Sequence, residues 1–246
     1  MSEKLNRLRQ LMKRRRVQAY LIPSADPHQG EYVPACWKRR QFVTGFTGSA
    51  GDAVVTLDMA GLWTDSRYHL QAERELEGSG FELFRFGLPG VPSWKEWTAG
   101  VLSAGGTLGY DPQLISHKEH AELARLFGDR GLRLKAVEPN LVDSLWEGRP
   151  APPSGKIIRH QKKFAGESPR AKLDRVRKKM AEESADAHIF TQLDAIAWLF
   201  NIRGSDVAFN PVAIAYAVVT PKAAFLFLDA KKLTPGVEAA LSKEAR

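Results

Sequence analysis

An internal repeat constrains the fold of this chain more than any other feature of its sequence. Four blocks in the N-terminal half recur in the same order in the C-terminal half. Two of them align when the numbering is shifted by 168: Leu5, Leu8 and Met12 with Leu173, Val176 and Met180, and residues 19–22 with residues 187–190. Two more align with a shift of 164: residues 53–56 with the identical residues 217–220, and residues 62–65 with residues 226–229. The sequence therefore predicts two copies of one helix–strand–hairpin plan.

Apolar periodicity and turn residues predict alternating helices and strands in both copies. The expected fold class is α/β, with a mixed sheet flanked by helices in each domain. The first copy is predicted to contain a helix over residues 2–16, strands over 19–22, 53–57 and 62–64 with a turn at 58–61, a helix over 68–77, extended chain over 81–86, helices that start after Ser93 and Ser116, and a strand over 132–137. The second copy is predicted to contain a helix from Pro169, a strand over 187–191, a helix over 193–200, strands over 212–220 and 223–228, and a helix over 236–246.

A proline-rich run, PAPPSG at residues 150–155, separates the two copies. Such a run neither continues a helix nor lies inside a sheet, so we interpret residues 151–167 as a linker. Residues 1–150 then form domain I and residues 168–246 form domain II. Judged by the first copy, a complete second copy would end roughly 70 residues beyond Arg246, so domain II is expected to be incomplete.

The chain is basic, with 36 Lys and Arg against 28 Asp and Glu and a net charge of +8. The excess lies mainly in short runs at residues 13–16, 38–40 and 175–179. The first and last runs fall on predicted amphipathic helices, where a solvated basic face is the ordinary outcome. No run has the interleaved aromatic residues of a single-strand binder. We therefore expect no nucleic-acid partner.

Membrane and secretory signals are also missing from the sequence. No apolar stretch reaches the ~20 residues that cross a bilayer, and the N-terminal residues lack the apolar core of a secretory signal. The single cysteine, Cys36, cannot form an internal disulfide. We expect a cytoplasmic protein without a membrane partner.

Three features that could carry chemistry have simpler interpretations. His117 and His120 are three residues apart on a predicted helix, but zinc helices more often use four-residue spacing and no third ligand is evident. The glycine-rich loop at residues 45–51 precedes a strand, whereas a phosphate loop lies between a strand and a helix, so close packing or a turn is favoured. Ser49 is not in a nucleophile elbow. The residues alone indicate no catalytic or metal-binding group in this segment.

Several longer motifs resemble the N-terminal region of Xaa-Pro aminopeptidases. Domain I contains IPSADPHQ at residues 22–29, followed by Glu31 and Tyr32, then RQFVTGFTGSAG at residues 40–51 and LWTDSRY at residues 62–68. Domain II contains LDAIAWLFNIRGSD at residues 193–206 and NPV at residues 210–212, which resemble the second domain of the long, three-domain members. The resemblance spans essentially the whole chain and implies a creatinase N-terminal fold repeated twice.

The resemblance implies that the chemistry of the parent enzyme takes place outside this segment. In the family, a C-terminal domain of the pita-bread type holds two divalent metal ions, usually manganese, on two Asp, one His and two Glu. The metals activate a water for attack on the peptide bond before proline. That domain would lie beyond Arg246, so the segment alone is expected to be inactive and to hold no metal ligand, while the parent acts on proline-containing peptides.

Arg67 is the one residue of this segment that the resemblance places near substrate. In long family members, the Arg of a Thr-Asp-Gly-Arg-Tyr stretch approaches the active site of the other subunit of a homodimer, and Arg67 matches it. Ser66 stands where glycine is usual. A planar, permanently charged guanidinium suits a peptide carboxylate or carbonyl. A surface or intradomain ion pair with Asp65 is the alternative interpretation.

Two other functions remain open at this point. The chain is also compatible with the matching region of a prolidase or a creatine amidinohydrolase, although the pattern GSDxxxNPV at residues 204–212 favours the aminopeptidase. It is further compatible with a free-standing interaction module that binds through its basic helices. Salt-dependent retention on DNA would distinguish that module from the other two.

Overall fold

The structure, a computed structural model, describes residues 3–244, which divide into two units. Unit 1 comprises residues 3–27 and Ala35–Pro150. Unit 2 comprises His28–Pro34 and residues 151–244. A short piece of the first copy's sequence therefore packs with the second copy.

Unit 1 alternates helices and strands along the chain. Its elements, in order, are α1 (Glu3–Arg15), β1 (Ala19–Ile22), α2 (Arg39–Thr44), β2 (Asp52–Thr56), β3 (Ala60–Thr64), α3 (His69–Glu75), β4 (Glu82–Arg85), α4 (Trp94–Val101), β5 (Thr107–Tyr110), α5 (His117–Gly128) and β6 (Arg133–Ala136). Short 3-10 turns cover Ala35–Trp37 and Asp143–Leu145.

The strands of unit 1 form one mixed sheet in the order β4-β3-β2-β1-β5-β6. The pairs β1–β2 and β2–β3 are antiparallel, and the pairs β3–β4, β1–β5 and β5–β6 are parallel. All four residues of β1 are buried, as expected for an apolar strand whose two faces are both covered. One face packs with Leu5 and Leu8 of α1, and the other with Trp94 of α4 and Phe127 of α5.

Helix α1 illustrates how the sequence pattern determines the packing. Leu5, Leu8 and Met12 are fully buried at helical spacing. The basic run at residues 13–16 is exposed and begins in the last turn of the helix, where positive charge interacts favourably with the helix dipole. At the start of α4, Ser93 and Glu96 form the predicted capping box.

Unit 2 contains the remaining elements. These are β7 (Ile158–Arg159), α6 (Lys162–Ala165), α7 (Pro169–Glu182), β8 (His188–Phe190), α8 (Leu193–Leu199), β9 (Ile202–Arg203), β10 (Ala215–Val219), β11 (Ala224–Leu228) and α9 (Pro235–Glu244). A 3-10 turn covers Ala230–Lys232. The apolar stripe of α7, which includes Leu173 and Met180, packs into one core with the buried face of β10.

The repeat predicted from the sequence is confirmed by the strand order. Unit 2 has a three-stranded sheet in the order β11-β10-β8, with both pairs antiparallel, which matches β3-β2-β1 of unit 1. A separate antiparallel pair joins β7 to β9. Within residues 151–244, all these pairs are antiparallel, so the mixed sheet expected in each domain is found only in unit 1.

Some expected boundaries differ from those observed. Residues 151–167, interpreted as a linker, contain β7 and α6 and belong to unit 2. Ala60 and Gly61, expected in a turn, are the first residues of β3, because the hairpin turn is shorter and closes with a hydrogen bond from the amide of Thr56 to the carbonyl of Met59 at 2.8 Å. The predicted first and last helices extend over Ser2 and residues 245–246, which lie outside the described residues.

None of the helices within residues 3–244 combines the length and apolarity needed to span a bilayer.

Candidate functional site

Three of the motifs in domain I meet at one end of the unit 1 sheet. Because β1 and β2 are antiparallel, the last residue of β1, Ile22, lies opposite Ala53 near the start of β2. Since β2 and β3 are also antiparallel, Asp52 lies opposite Trp63 near the end of β3. Three segments are therefore neighbours: the residues that follow Ile22, the glycine-rich loop before Asp52, and the residues after Thr64.

Arg40 is buried and donates hydrogen bonds to the glycine-rich loop. Its side chain is 6% exposed and donates hydrogen bonds from Nε to Ser24 Oγ at 2.8 Å, from Nη1 to the Phe46 carbonyl at 2.7 Å and from Nη2 to the Gly48 carbonyl. The guanidinium also lies 4.6 Å from the centroid of the Phe46 ring. Burial lowers the pKa of the Arg40 guanidinium to about 10, and the negative charge of the nearby Asp52 limits this decrease. Arg40 therefore stays charged at neutral pH.

The glycine-rich loop is a packing feature, as the sequence analysis favoured. A Cβ on Gly48 would lie 2.3 Å from the Phe46 ring and 2.8 Å from the Tyr68 ring, so only glycine fits between these two aromatic side chains. The two rings meet edge to face with centroids 6.0 Å apart. The loop thus brings Tyr68, which follows Arg67 directly, against the end of the sheet.

Polar side chains fasten the loop to α3. The amide and hydroxyl of Thr47 each donate to the carboxylate of Glu75 at 2.7 Å, and Gln71 Nε2 donates to Thr47 Oγ1 at 2.8 Å. The hydroxyl groups of Ser49 and Tyr68 are 2.7 Å apart. Ser49 therefore has a tyrosine hydroxyl as its partner and not the base that an activated nucleophile needs.

Arg67 is exposed at this end of the sheet and its guanidinium is held on one side by Asp65. Nε and Nη2 of Arg67 donate to the two carboxylate oxygens of Asp65 at 2.9 and 2.8 Å, and the amide of Arg67 donates to Oδ1 at 3.1 Å. The guanidinium lies 5.1 Å from the centroid of the Tyr68 ring. The hydrogen bonds from the Arg67 side chain hold the pKa of the Asp65 carboxyl below its usual range.

This arrangement presents a positioned cation to solvent. The side chain of Arg67 is 65% exposed, and an exposed ion pair of this kind contributes about 0–1 kcal/mol, so little free energy opposes its opening. A guanidinium matches a carboxylate or a carbonyl oxygen through two parallel donors.

The histidines show no sign of a metal centre. His117 is exposed at the start of α5, and the His120 ring lies 5.7 Å from the Tyr110 ring. Among residues 3–244, no group of three or more His, Cys, Asp or Glu side chains is arranged to hold a metal ion. The described residues do not fit a two-metal centre, and no chemical step is assigned to them.

The motifs of domain II have a structural role in unit 2. Asp206 is buried, accepts a hydrogen bond from the amide of Ile214 at 2.6 Å and forms a buried ion pair with Lys232. The amide of Gly204 donates to the carbonyl of Pro211 at 3.1 Å, which closes the loop between β9 and β10. The pattern at residues 204–212 thus forms a loop that is closed by backbone hydrogen bonds and a buried ion pair.

A cavity of about 230 Å³ in unit 2 brings together further motif residues. His28 lies beside it, with Nδ1 2.9 Å from the Thr191 carbonyl and its ring 4.5 Å from the Tyr216 ring. The other lining residues are Gln29, Gly30, Glu31, Tyr32, Gln192, Leu193, Asp194, Val207, Asn210 and Val212. Sequence reasoning missed this grouping, since nothing in the local pattern shows that His28–Pro34 packs with the second copy.

The chain is similar to known proteins over nearly its whole length. Two family models, both described as the Creatinase/Prolidase N-terminal domain, match residues 4–145 and residues 148–246. The proteins named Probable Xaa-Pro aminopeptidase P from Aspergillus clavatus and Coccidioides posadasii are each 45% identical to this chain, over 99% and 96% of its length. An X-prolyl aminopeptidase from Caenorhabditis elegans, described as a cytosolic enzyme with a di-nuclear active site, superposes on 99% of the chain with a TM-score of 0.95 and 33% identity.

These relatives are much longer than the present chain. It covers 37% of the Aspergillus clavatus protein, 39% of the Coccidioides posadasii protein and 41% of the Caenorhabditis elegans chain. The 246 residues correspond to N-terminal domains and do not include the remaining part of those proteins. With both halves matched by the same domain description, the chain belongs to the creatinase/prolidase N-terminal domain family and resembles the N-terminal region of long Xaa-Pro aminopeptidases.

Proposed function

We propose that this chain is the non-catalytic N-terminal region of a metal-dependent aminopeptidase that removes the residue preceding proline. In this proposal the region supports a homodimer and shapes the substrate site, and Arg67 contacts the substrate bound by the other subunit. The two divalent metal ions, manganese by the resemblance, are bound by the part of the enzyme outside these residues. Peptides that contain proline are the substrates, and neither nucleic acid nor a membrane is a partner.

The position of Arg67 carries the proposal. Its guanidinium is exposed, oriented by Asp65 and Tyr68, and located where three sequence motifs converge. Phe46 and Gly48 pack against Tyr68, and Arg40 packs against Phe46. Most residues of the motif therefore support the side chains around one exposed cation.

The two-domain match favours a long aminopeptidase over a prolidase or a creatine amidinohydrolase. The superposition on the Caenorhabditis elegans enzyme covers both units of this chain at 33% identity. That enzyme is described as cytosolic, and the lone, buried Cys36 suits the same reducing compartment, so we propose a cytoplasmic location.

Steady-state kinetics of Arg67→Ala in the full-length enzyme test the proposal. Loss of a charge-assisted contact that strengthens in the transition state would cost roughly 2–4 kcal/mol, so kcat/KM on an Xaa-Pro peptide should fall about 30- to 1000-fold. Arg67→Lys should recover little of it, because an ammonium lacks the forked donors. The melting temperature and the dimer should be unchanged.

Arg85→Ala is the matched control. Arg85 ends β4 beside Thr64, at the same end of the sheet, and forms a comparable exposed ion pair with Glu73 at 3.1 Å. Arg85→Ala should leave kcat/KM within about twofold of the unchanged enzyme, since an exposed ion pair contributes little to stability. Near-normal turnover of Arg67→Ala, with dimerisation intact, would show that Arg67 only pairs with Asp65.

A further inference from the structure

A cavity of about 480 Å³ lies in unit 1, at the end of the sheet opposite the candidate functional site. Its walls include Thr56, the last residue of β2, and Thr107, the first residue of β5. Ala19 lies opposite Thr56 on one side and Leu108 on the other, so these walls adjoin the start of β1. The motifs around the candidate functional site instead follow Ile22, where β1 ends. The cavity therefore has its own set of residues.

Hydrogen bonds fix the walls of this cavity. Gln18 joins the start of β1 to β5, because its Oε1 accepts from the amide of Thr107 and its own amide donates to the carbonyl of Thr107, both at 2.9 Å. In the loop after α4, the amide of Gly106 donates to the carbonyl of Ser103 at 2.8 Å, and the amide of Gly105 donates to a carbonyl of the loop before β6 at 2.9 Å. The cavity is therefore formed by the fold itself, as is usual for small-molecule sites.

Two arginines line the cavity without an acidic partner among residues 3–244. Arg16 is exposed directly after α1, and Arg133 donates from Nε and Nη2 to the carbonyl of Gly105 at 3.2 and 2.7 Å. The carboxylate of Asp58 also lines the cavity, but its charge acts on Arg9. Burial lowers the pKa of Arg9, and the nearby Asp58 limits that decrease. The cavity therefore has an excess of positive charge, which attracts anions.

The second copy shows that the fold does not require these charges. Arg16 aligns with Ser184, and both residues have left-handed backbone, with φ of +57° and +54°. The turn after the first helix is thus common to both copies, and a serine satisfies it in unit 2. Asp58 and Met59 align in the same way with Lys222 and Ala223. The cationic lining therefore belongs to unit 1 alone, and a role in the common fold does not explain it.

Apolar side chains complete the lining. Met59 in the turn between β2 and β3 is 43% exposed, and Leu57 and Leu102 beside it are half-buried. A ligand that covered these three side chains would remove apolar surface from water, which stabilises a complex. The cavity thus combines a cationic part with an apolar part.

We propose that this cavity binds a small phosphate monoester with an apolar body. The phosphate dianion lies between Arg16 and Arg133, and the apolar body packs on Met59 and Leu102. Guanidinium groups bind phosphate oxygens through paired donors, and a dianion compensates both charges, whereas a carboxylate compensates only one. The proposal does not depend on peptidase activity or on the proposed role of Arg67.

Titration of the 246-residue chain with phenyl phosphate, followed by NMR, tests the proposal. The amide signals of Gly105, Gly106 and Thr107 should shift saturably, with a Kd of about 1 mM or below. Benzoate and inorganic phosphate should each bind at least about fivefold more weakly, because the first has a single charge and the second has no apolar body. Absence of saturable shifts at these amides would overturn the proposal. Benzoate that bound as tightly as phenyl phosphate would overturn the assignment of a phosphate.

Variants locate the binding within the cavity. Arg16→Ala and Arg133→Ala should each weaken the binding of phenyl phosphate about tenfold, because each removes a charge-assisted contact. The melting temperature of Arg16→Ala should be unchanged, since its side chain is exposed. Met59→Ser should weaken the binding of phenyl phosphate several-fold and leave that of inorganic phosphate unchanged, because only the ester has an apolar body.

Lys118→Ala is the matched control for loss of one positive charge. Lys118 is exposed in the first turn of α5, which follows the other end of β5 in the chain. This variant should leave the Kd within about twofold, because salt screens an exposed charge that does not line the cavity. An equal loss of affinity in Lys118→Ala and Arg16→Ala would show a general attraction of anions to a basic chain and would overturn the proposed site.

Discussion

The hydroxyl groups of Ser49 and Tyr68 lie 2.7 Å apart and join the glycine-rich loop to the start of α3. This contact connects two motifs that are separated by a whole β-hairpin in the sequence. It also fixes the ring over which the Arg67 guanidinium lies at 5.1 Å. The loop therefore orients the exposed cation indirectly, through the tyrosine.

Tyr68→Phe tests this connection. The variant keeps the ring and its contact with Phe46 but removes the hydrogen bond to Ser49. We expect a loss of about 0.5–1.5 kcal/mol in the free energy of unfolding, measured with urea, because one hydrogen bond is lost and no cavity forms. Tyr32→Phe, at a tyrosine 46% exposed in unit 2, is the control and should change little. An unchanged unfolding curve for Tyr68→Phe would show that the contact does not hold the loop.

Arg40→Ala should destabilise unit 1 far more. The substitution leaves the carbonyls of Phe46 and Gly48 without their donors inside the protein and should cost about 3–5 kcal/mol. Arg40→Lys should recover only part, because an ammonium cannot reach Ser24 and both carbonyls together. Lys38→Ala, at an exposed neighbour, is expected to stay within about 0.5 kcal/mol. Similar unfolding curves for the Arg40 and Lys38 variants would contradict a central role for Arg40.

The repeat predicted most of the fold, but it missed β5, which lies between β1 and the edge strand β6 in the unit 1 sheet. β5 has the sequence Thr107-Leu108-Gly109-Tyr110 after two further glycines, which is typical of a turn. A Cβ at Gly109 would lie 3.0–3.2 Å from side-chain atoms of Val17, Tyr20 and Val137, so a larger residue there would crowd these neighbours. Local propensity favours a turn at this position, and the parallel pairing of the segment with β1 and β6 overrides that preference.

The candidate site was predictable in its members but not in its arrangement. The motifs identified Arg67 and Asp65, and the sequence allowed either a substrate contact or an ion pair between them. The ion pair is observed, and it leaves the guanidinium exposed. In the sequence, Arg40 stood out only as part of the basic run at residues 38–40 and as the first residue of the motif at residues 40–51. Its role became evident only because α2 turns its side chain under the loop, a tertiary relationship that charge patterning does not encode.

The pKa of Asp65 reports the ion pair in solution. Hydrogen bonds from Arg67 hold it below the ordinary range, so we expect NMR titration to give a value that rises towards normal in Arg67→Ala. Because the folded-state pKa lies below the unfolded value, the contribution to stability is present at neutral pH and is lost as the pH falls through the folded-state pKa. The pKa of Glu96, which hydrogen bonds from the backbone and side chain of Ser93 hold below its usual range, should not change in this variant. The same Asp65 pKa in both proteins would mean that the pair does not persist in water.

Cys36 should be unreactive in the native protein. Its side chain is 1% exposed, and burial raises the pKa of the thiol, so the reactive thiolate is scarce. Modification by a thiol reagent at pH 8 should be roughly 100-fold slower in the native than in the urea-unfolded chain. Ser103→Cys adds an exposed thiol and should give one equivalent of fast reaction. Fast reaction of the unmodified chain would place Cys36 at an accessible surface.

The buried pair of Asp206 and Lys232 should couple strongly in unit 2. Their side chains are 0% and 3% exposed, so either partner alone would be a buried charge without compensation. Asp206→Asn keeps a group that can accept from the amide of Ile214 but removes the charge, and should cost about 3–5 kcal/mol, as should Lys232→Met. The double variant should lower the free energy of unfolding by less than the sum of the two single variants, with a difference of about 1–3 kcal/mol, because neither charge then remains.

Lys179→Met, which breaks exposed pairs with Glu182 and Glu183, is the control and should lower the free energy of unfolding by less than about 1 kcal/mol. Strictly additive costs in the urea unfolding curves would show that Asp206 stabilises the loop at residues 204–212 through its backbone contacts alone, without the lysine.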